Sequence, residues 1–279
     1  MSAVYLQIIT PEWPAHRGVR AAFTLRTGGA SAAPYDSLNL GAHIGDSPEA
    51  VAENRRRVRE KLRLPAEPVW LEQVHGVEVV ELGAVGESGW SCRAGAGGDV
   101  GASGWSDAVA TGDSRGRTAD ASVARGAGQV CAIRVADCMP VLFAARDGSA
   151  VGAAHAGWRG LAGGVLEATI ARLGVPATEL IAWMGPAIGP KHFEVGEDVR
   201  AAFTATDAGA ALAFAANARG RWQCDLYALA RRRLSAIGVS GIYGGGWCTF
   251  AEAGRFFSYR RDGQCGRMAA LIWIEAGQG

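Results

Sequence analysis

Two apolar runs in the middle of the chain stand out in its pattern of hydrophobic and polar positions. The first, residues 135–143, is mostly apolar, but Asp137 and Cys138 interrupt it. The second, residues 151–160, begins like a buried strand and ends in His155, small residues, Trp158 and Arg159. Turn-forming residues separate the two runs, so the pattern predicts a strand, a tight turn and a second strand. We therefore expect a carboxylate, a thiol, an imidazole and a guanidinium near neighbouring strand ends.

The rest of the chain mixes strand-like and helix-like patterns. Apolar runs of strand length predict strands over 4–9, 19–26, 68–82, 119–123, 130–135, 180–184, 242–250 and 268–274. Helical periodicity predicts helices over 49–62, 161–173, 195–203 and 222–234, with Asp46 or Ser47 capping the first and Asp225 capping the last. Because these elements do not alternate strictly as β-α-β units, they favour an α+β fold or a mixed α/β sandwich.

The segment 83–117 is rich in glycine and serine and poor in large apolar residues. Its glycines resemble part of a dinucleotide-binding fingerprint, but the strand and the helix that should flank such a motif are missing. We interpret the segment as a loop or lid inserted into one domain that spans residues 1–279.

Composition and charge argue against several classes of partner. A formal net charge of +1 over 279 residues gives no reason to expect nucleic acid or an acidic membrane. No apolar run approaches the ~18 residues that a bilayer span needs, and the first residues lack the pattern of a signal peptide. The six cysteines are scattered without a C-x-x-C pair, which is typical of reduced thiols. We therefore expect a cytoplasmic protein, whose oligomeric state the sequence does not indicate.

Three residues near predicted strand ends could bind a metal ion. Zinc accepts a mixture of imidazole and thiolate ligands, and His75, Cys138 and His155 would leave a fourth position open. The three are far apart in sequence, so only the fold could assemble them. Two other interpretations are open. Cys138 could be an ordinary core residue beside hydrogen-bonded histidines, or it could form a thiolate–imidazolium pair with His155, oriented by Asp137 or another carboxylate.

Two arginines lie where backbone amides could help to bind an anion. Arg159 stands between Gly157 and Gly160 at the predicted start of a helix, where free N–H groups attract phosphate. Arg26 ends a predicted strand just before a pair of glycines. The alternative for Arg26 is an ordinary surface ion pair.

Several motifs occur in order along nearly the whole chain. They are Thr-Leu-Arg-Thr-Gly-Gly from 24, Ser-Leu-Asn-Leu-Gly from 37, Gln-Val-His-Gly from 73, Ala-Asp-Cys-Met-Pro-Val-Leu from 136, His-Ala-Gly-Trp-Arg-Gly from 155, Gly-Pro-Ala-Ile-Gly-Pro from 185, Cys-Thr-Phe from 248 and Phe-Ser-Tyr-Arg-Arg-Asp-Gly from 257. In these motifs the chain resembles the YfiH-type, or laccase-domain, family, also called multicopper polyphenol oxidoreductases, purine nucleoside phosphorylases or peptidoglycan editing factors. The segment 83–117 departs from the family pattern because it is longer than expected.

The resemblance implies an α-β-β-α sandwich of mixed sheets and a zinc site formed by His75, Cys138 and His155. It also implies phosphorolysis of adenosine, inosine, guanosine and methylthioadenosine, and deamination of adenosine. Copper could take the place of zinc, although zinc is preferred. The description as a laccase is disfavoured, because five histidines are too few to bind the several copper ions of such an enzyme.

The remaining site residues receive roles within this interpretation. Arg26 and Arg159 hold phosphate. Asn39 and Gln73 bind the nucleoside. Asp137 orients a metal ligand or transfers a proton.

Two alternative functions belong to other classes. In the first, Cys138 is the nucleophile of a hydrolase that edits cytoplasmic peptidoglycan precursors. In the second, the chain is a metal-binding module without catalytic activity. Inactivation by a chelator favours a zinc enzyme, whereas inactivation by iodoacetamide alone favours a thiol hydrolase.

Overall fold

The computed structural model describes residues 5–83 and 117–276. The segment 83–117, interpreted as an inserted loop or lid, therefore lies outside the described residues except at its two ends. That interpretation stays a prediction, as does the assignment of residues 1–279 to one domain.

The strands of the described residues form two large sheets and one small sheet. Their bounds are β1 (Ile8–Ile9), β2 (Val19–Thr24), β3 (Val69–Trp70), β4 (Val79–Leu82), β5 (Ala121–Ala124), β6 (Val130–Val135), β7 (Met139–Ala145), β8 (Val151–Ala156), β9 (Leu180–Met184), β10 (Glu194–Val195), β11 (Phe214–Ala216), β12 (Trp222–Cys224), β13 (Gly241–Gly244) and β14 (Met268–Ile274). The five-stranded sheet has the order β1-β2-β14-β6-β3, and the six-stranded sheet has the order β13-β9-β7-β8-β5-β4. Both are mixed, because β3 is parallel to β6, β4 to β5 and β13 to β9.

The described residues contain six α-helices. Their bounds are α1 (Pro48–Leu62), α2 (Trp158–Gly163), α3 (Val165–Leu173), α4 (Glu197–Thr204), α5 (Leu226–Ile237) and α6 (Tyr259–Asp262), with short 3-10 helices at Ala177–Glu179 and Ala208–Ala213. Three of the six, α1, α5 and α6, begin at a residue whose side chain caps the helix. Ser47, one of the two predicted caps of α1, accepts a hydrogen bond from the amide of Ala50 at 3.3 Å. Asp225 caps α5 through the amide of Ala228 at 3.0 Å, as predicted.

The two large sheets pack face to face. Ile133 of β6 and Ile272 of β14 belong to the same buried apolar cluster as Leu142 of β7 and Ala153 of β8. This cluster is the centre of the core. Each such side chain contributes about 1.5–3 kcal/mol when it is fully buried.

Helices cover the outer faces of both sheets. Val58 of α1 packs in a cluster with Leu271 of the five-stranded sheet. On the other side, Leu166 of α3 and Leu229 of α5 belong to the cluster that contains Val141 of the six-stranded sheet. The layers are therefore helix, sheet, sheet and helix, which confirms the expected α-β-β-α sandwich. No helix in the described ranges is both long enough and apolar enough to cross a membrane.

Two predicted helices differ from the structure. The helix predicted over 161–173 begins earlier, at Trp158, and is divided at Gly164, whose φ of +101° ends α2 and precedes α3. The helix predicted from Trp222 begins only at Leu226, because residues 222–224 form β12 between β10 and β11. Residues 222–224 instead form a hairpin with β11 and also pair with β10, so Asp225 marks the start of the helix.

The predicted strand over 242–250 is also shorter than expected. Strand β13 ends at Gly244, and Cys248 lies in a following turn rather than in the strand. Three consecutive glycines with positive φ, residues 244–246, turn the chain away from the sheet at this point.

Candidate active site

One end of the six-stranded sheet brings the three candidate ligands together. Cys138 directly precedes β7, and His155 lies near the end of β8. These strands are antiparallel, with Met139 opposite Ala156, so the start of one lies beside the end of the other. His75 lies in the connection that leads to β4. That strand starts at the same end of the sheet, because it is parallel to β5, which is antiparallel to β8.

The three side chains form a compact group with one open side. Their potential ligand atoms all lie within 4.8 Å of one another, and Sγ of Cys138 is 3.7 Å from Nε2 of His75. His75 is exposed, Cys138 is half-buried and His155 is buried. The group therefore spans the depth from the surface to the core. A Cβ atom at position 157 would lie 2.7 Å from the Cys138 sulfur, so the neighbouring glycine is required by close packing.

The donor set and its spacing fit a metal ion. Zinc binds thiolate at about 2.3 Å and imidazole at about 2.0 Å, and a tetrahedral arrangement then separates the two ligand atoms by about 3.5 Å. The distance of 3.7 Å between Cys138 and His75 agrees with that separation. Two histidines and one cysteine also suit copper, so the group could hold either metal ion and does not select between them.

The carboxylate of Asp120, a buried residue, holds two of the three candidate ligands. Its Oδ1 accepts hydrogen bonds from Nδ1 of His155 at 2.8 Å and from the amide of His75 at 2.9 Å. Its Oδ2 accepts bonds from the amides of Val74 at 3.2 Å and Gly76 at 2.6 Å. The first bond leaves Nε2 of His155 as its ligand atom. The amide bonds stabilise the left-handed conformation of His75, whose φ is +64°.

Sequence reasoning missed Asp120 as a site residue. It lies in the stretch Ala-Asp-Ala-Ser-Val, which was assigned only as strand material. The sequence does contain one signal for Asp120, a carboxylate directly before a short apolar strand. A carboxylate at such a position is buried and needs polar partners, which indicates a role in a site.

Mutual charge stabilisation shifts the pKa values of the buried groups. Burial would raise the pKa of Asp120, but the hydrogen bond and charge of His155 lower it below its usual value. Burial likewise opposes protonation of His155, yet Cys138 and Asp120 raise its pKa to about 9. Burial would raise the pKa of the Cys138 thiol, but His155 and His75 lower it to about 6. Without a metal, the site therefore favours a thiolate beside an imidazolium near neutral pH.

Asp137 connects the segment of Cys138 to a distant part of the chain. Its φ is +88°, and its carboxylate accepts hydrogen bonds from the hydroxyl of Thr249 at 2.6 Å and the amide of Arg260 at 2.7 Å. The expected contact of a carboxylate with His155 is therefore made by Asp120 rather than by Asp137.

A cleft of about 740 Å³ opens above the three candidate ligands. Its lining combines cations with aromatic rings: Arg134, Arg159, Arg260, Arg267, Trp158, Phe193 and Tyr259. Aromatic faces can stack on a purine base, and guanidinium groups bind phosphate in a bidentate manner. The cleft can therefore accept a ligand that has both a flat ring and an anionic group.

Arg159 and Gln73 line this cleft, and their roles in binding substrate stay predictions. The exposed guanidinium of Arg159 stacks on Trp158 at 4.5 Å from the ring centre. The amide group of Gln73 donates to the carbonyl of Arg134 at 2.9 Å and accepts a bond from its amide at 2.9 Å. Gln73 therefore holds the backbone of Arg134 at the edge of the cleft.

Asn39 is buried, and its hydrogen bonds do not support the predicted contact with a nucleoside. Its Nδ2 donates to the carbonyl of Gly41 at 3.1 Å and to Asp46 at 2.8 Å. Its Oδ1 accepts bonds from the amides of Gly41 at 2.8 Å and Arg267 at 2.9 Å. Both donor hydrogens and both acceptor positions are thus used inside the protein, and the role of Asn39 is to hold Arg267.

Arg26 lies outside this cleft and therefore apart from Arg159, the other residue predicted to hold phosphate. It lines a separate pocket, donates to the carbonyls of Asp36 and Ala253, and stacks on the ring of Phe257 at 4.7 Å. It also lies 3.7 Å from the Asp36 carboxylate. Three of its five N–H donors thus bind carbonyl groups of two different segments, and Arg26 joins these segments.

Comparison with known proteins identifies related sequences over almost the whole chain. The family described as multi-copper polyphenol oxidoreductase laccase matches residues 20–275. The purine nucleoside phosphorylase PA4543 of Pseudomonas aeruginosa is 51% identical over 96% of this chain and 98% of its own length. The purine nucleoside phosphorylase YfiH of Escherichia coli is 48% identical over 96% of this chain and 99% of its own length.

Solved structures of similar proteins have the same fold. The Neisseria meningitidis protein NMB0706 has a TM-score of 0.83 and 45% identity, and the match covers 96% of this chain and 99% of that chain. YlmD of Geobacillus stearothermophilus has a TM-score of 0.79 and 32% identity over 93% of both chains. Sequence and structure agree that the chain belongs to the YfiH-type, laccase-domain family.

Proposed function

We propose that this protein is a purine nucleoside phosphorylase with zinc bound by His75, Cys138 and His155. The observation that carries the proposal is a three-residue metal site beneath a cleft lined by arginines and aromatic rings. Relatives named purine nucleoside phosphorylase, similar over 96% of the chain, support the same activity. The proposed substrates are adenosine, inosine, guanosine and methylthioadenosine.

The proposed reaction transfers a ribosyl group from a purine to phosphate. A phosphate oxygen bonds to C1′ of the ribose, the bond from C1′ to the purine nitrogen breaks, and that nitrogen takes up a proton. The products are the free base and ribose 1-phosphate. Arginines of the cleft bind the phosphate, and Trp158, Phe193 or Tyr259 stacks on the base. Proximity and orientation then favour the reaction.

The metal site would support chemistry in the same cleft. Zinc, when bound, supplies a Lewis acid that polarises an oxygen or lowers the pKa of water. Asp120 keeps the His155 ring in the tautomer that can bind the metal. The same chemistry supports the second proposed activity, in which water replaces the amino group of adenosine to yield inosine and ammonia.

Chromatography of the products tests this function directly. The purified protein is incubated with adenosine and phosphate, with and without a chelator. Adenine and ribose 1-phosphate are expected from phosphorolysis, and inosine from deamination; both should disappear on chelation and return with zinc. A zinc-loaded sample that forms none of these products would refute the proposal.

A cysteine hydrolase is the second candidate, and the environment of Cys138 favours it. The thiol pKa of about 6, the adjacent His155 and the Asp120 carboxylate resemble a nucleophile with its base and orienting residue. The thiolate would attack an amide carbonyl of a cell-wall precursor, His155 would protonate the leaving amine, and water would release the acyl group. Inactivation by iodoacetamide with full activity in a chelator would favour this candidate over the zinc enzyme.

Both candidates place the protein in the cytoplasm, where nucleosides, phosphate and cell-wall precursors occur. The cysteines of the described residues are free, which suits a reducing compartment.

A further inference from the structure

The arginines of the cleft differ from many arginines elsewhere in the described residues. On other surfaces, arginines such as Arg20, Arg56 and Arg232 form ion pairs with carboxylates. Within residues 5–83 and 117–276, none of the four cleft arginines forms an ion pair. Glu72 and Asp137 also line the cleft, so its four arginines outnumber its two carboxylates and leave an excess of positive charge.

Arg134 is the cleft arginine with the strongest need for an anion. Its guanidinium is half-buried and donates through Nη2 to the carbonyl of Leu71, while Nε is buried with no hydrogen-bond partner among the residues that the structure describes. Burial lowers the pKa of Arg134 to about 10, and the positive charges of Arg55 and Arg267 add to this effect. A buried charge without a counterion is costly. A bound anion would offset that cost.

Arg267 is the second cation at this place. Its Nη1 donates to the carbonyls of Cys265 at 2.7 Å and Gly266 at 3.1 Å, and the guanidinium lies 5.9 Å from the ring centre of Tyr259. It lines the same cleft as Arg134. Both contacted acceptors are carbonyls of its own segment, so the positive charge is held in position without being neutralised.

Two buried or half-buried amide side chains hold the backbones of these arginines. Gln73 forms both of its amide hydrogen bonds to the backbone of Arg134. Asn39 accepts a bond from the amide of Arg267, and the neighbouring Leu40 donates to the carbonyl of Arg267 at 3.0 Å. The chain thus uses one amide side chain to position each arginine, a matched arrangement on two segments far apart in sequence.

We propose that Arg134 and Arg267 form an anion subsite that binds phosphate, with Gln73 and Asn39 as its positioning residues. The inference rests on the proposed function, because phosphorolysis requires phosphate as the second substrate. Guanidinium groups recognise phosphate through charge-assisted, bidentate hydrogen bonds. The subsite replaces the predicted role of Arg26, three of whose five N–H donors already bind carbonyl groups outside the cleft.

Direct binding of inorganic phosphate tests the subsite without any turnover. Titration calorimetry is done on the purified, zinc-loaded wild type and on the variants Arg134→Gln and Arg267→Gln. Loss of a charge-assisted hydrogen bond predicts that phosphate affinity falls at least about tenfold in each variant. Arg134→Lys, which keeps the charge but loses the fork of donors, should retain intermediate affinity. The exposed arginine variant Arg20→Gln is the matched control and should bind phosphate like the wild type.

Steady-state kinetics separate this inference from the proposed function. In Gln73→Leu, the KM for phosphate should rise several-fold more than the KM for nucleoside. If Gln73 had a purely structural role, the substitution would change both KM values to a similar extent and would also lower the thermal stability. Phosphate binding that depends on Arg134 and Arg267, in a protein that forms no ribose 1-phosphate, would support the subsite and refute the phosphorylase. Phosphorolysis with an unchanged phosphate KM in both glutamine variants would overturn the subsite alone.

A competition arm identifies the source of the anion. If inorganic phosphate is the ligand, a phosphate monoester should displace it only at higher concentration. The other outcome is that a monoester displaces phosphate at a lower concentration and that this preference is lost in Arg134→Gln. That result would support the subsite and would show that its anion is the phosphoryl group of a larger ligand. Folded glutamine variants with wild-type affinity for both compounds would refute the subsite.

Discussion

Replacing Asp120 with asparagine preserves the size of the side chain but removes its charge and one of its two acceptor oxygens. The carboxylate accepts four hydrogen bonds, two on each oxygen. An asparagine in either orientation therefore turns its NH2 group toward two N–H donors. One of the four bonds orients the ring of His155. Loss of an orienting bond to a metal ligand lowers metal affinity about 10–100-fold, and we expect a loss of this size for zinc.

The same substitution should destabilise the metal-free protein. Two buried donors left without acceptors cost about 1–3 kcal/mol each, so the free energy of unfolding should fall by about 2–6 kcal/mol near pH 7. The folded-state pKa of Asp120 is lowered, because the effect of His155 and the amides exceeds that of burial. Its stabilising contribution is therefore present above the ordinary aspartate pKa of about 3.9 and is lost as the pH falls below it. The difference in the free energy of unfolding between Asp120→Asn and the wild type should therefore become smaller in acid.

Zinc competition with a chromophoric chelator measures the affinity, and urea unfolding of the metal-free protein measures the stability. Asp225→Asn is the matched control, since asparagine caps a helix about as well as aspartate. It should leave zinc affinity unchanged. An Asp120→Asn protein that binds zinc as tightly as the wild type would refute a role of the Asp120 charge in zinc binding.

Further predictions concern the thiol, the close-packed glycine and the buried amide. In metal-free protein, alkylation of Cys138 by iodoacetamide should follow a midpoint near pH 6, because the thiolate forms above its lowered pKa, and a midpoint near 9 would contradict the ion pair. Gly157→Ala places a Cβ atom 2.7 Å from the Cys138 sulfur, so zinc affinity should fall more than about tenfold. The control Gly254→Ala, which has open space around the added Cβ atom, should bind zinc as tightly as the wild type. Asn39→Leu leaves two buried amides unpaired and should lower the free energy of unfolding by about 2–6 kcal/mol in urea titrations; a stable variant would show that these bonds are dispensable.

Local patterns determined much of the fold before any contact was known. The apolar run 135–143 is interrupted just before Met139 and is followed by turn-forming residues. This pattern predicted the paired strands β7 and β8. Ser47 and Asp225 marked the starts of α1 and α5, because a capping side chain bonds to an amide only two or three residues away. Such features depend only on residues close by in sequence, so a local pattern is enough to predict them.

The sequence also identified the three candidate metal ligands, through their residue types and the motifs around them. His75, Cys138 and His155 were chosen together because thiolate and imidazole side chains share a preference for zinc. Their chemistry is a property of each residue alone. The structure added that their ligand atoms lie within 4.8 Å of one another.

Only the tertiary structure decided the roles of the residues around these ligands. Asp120 contacts His155 across 35 positions, and Asn39 contacts the amide of Arg267 across 228. A carboxylate or an amide can bond in many directions, so its residue type does not specify its partner. The pairing of the sheets and the packing of loops on them select that partner, and they also carry Arg26 away from the cleft and Arg134 into it.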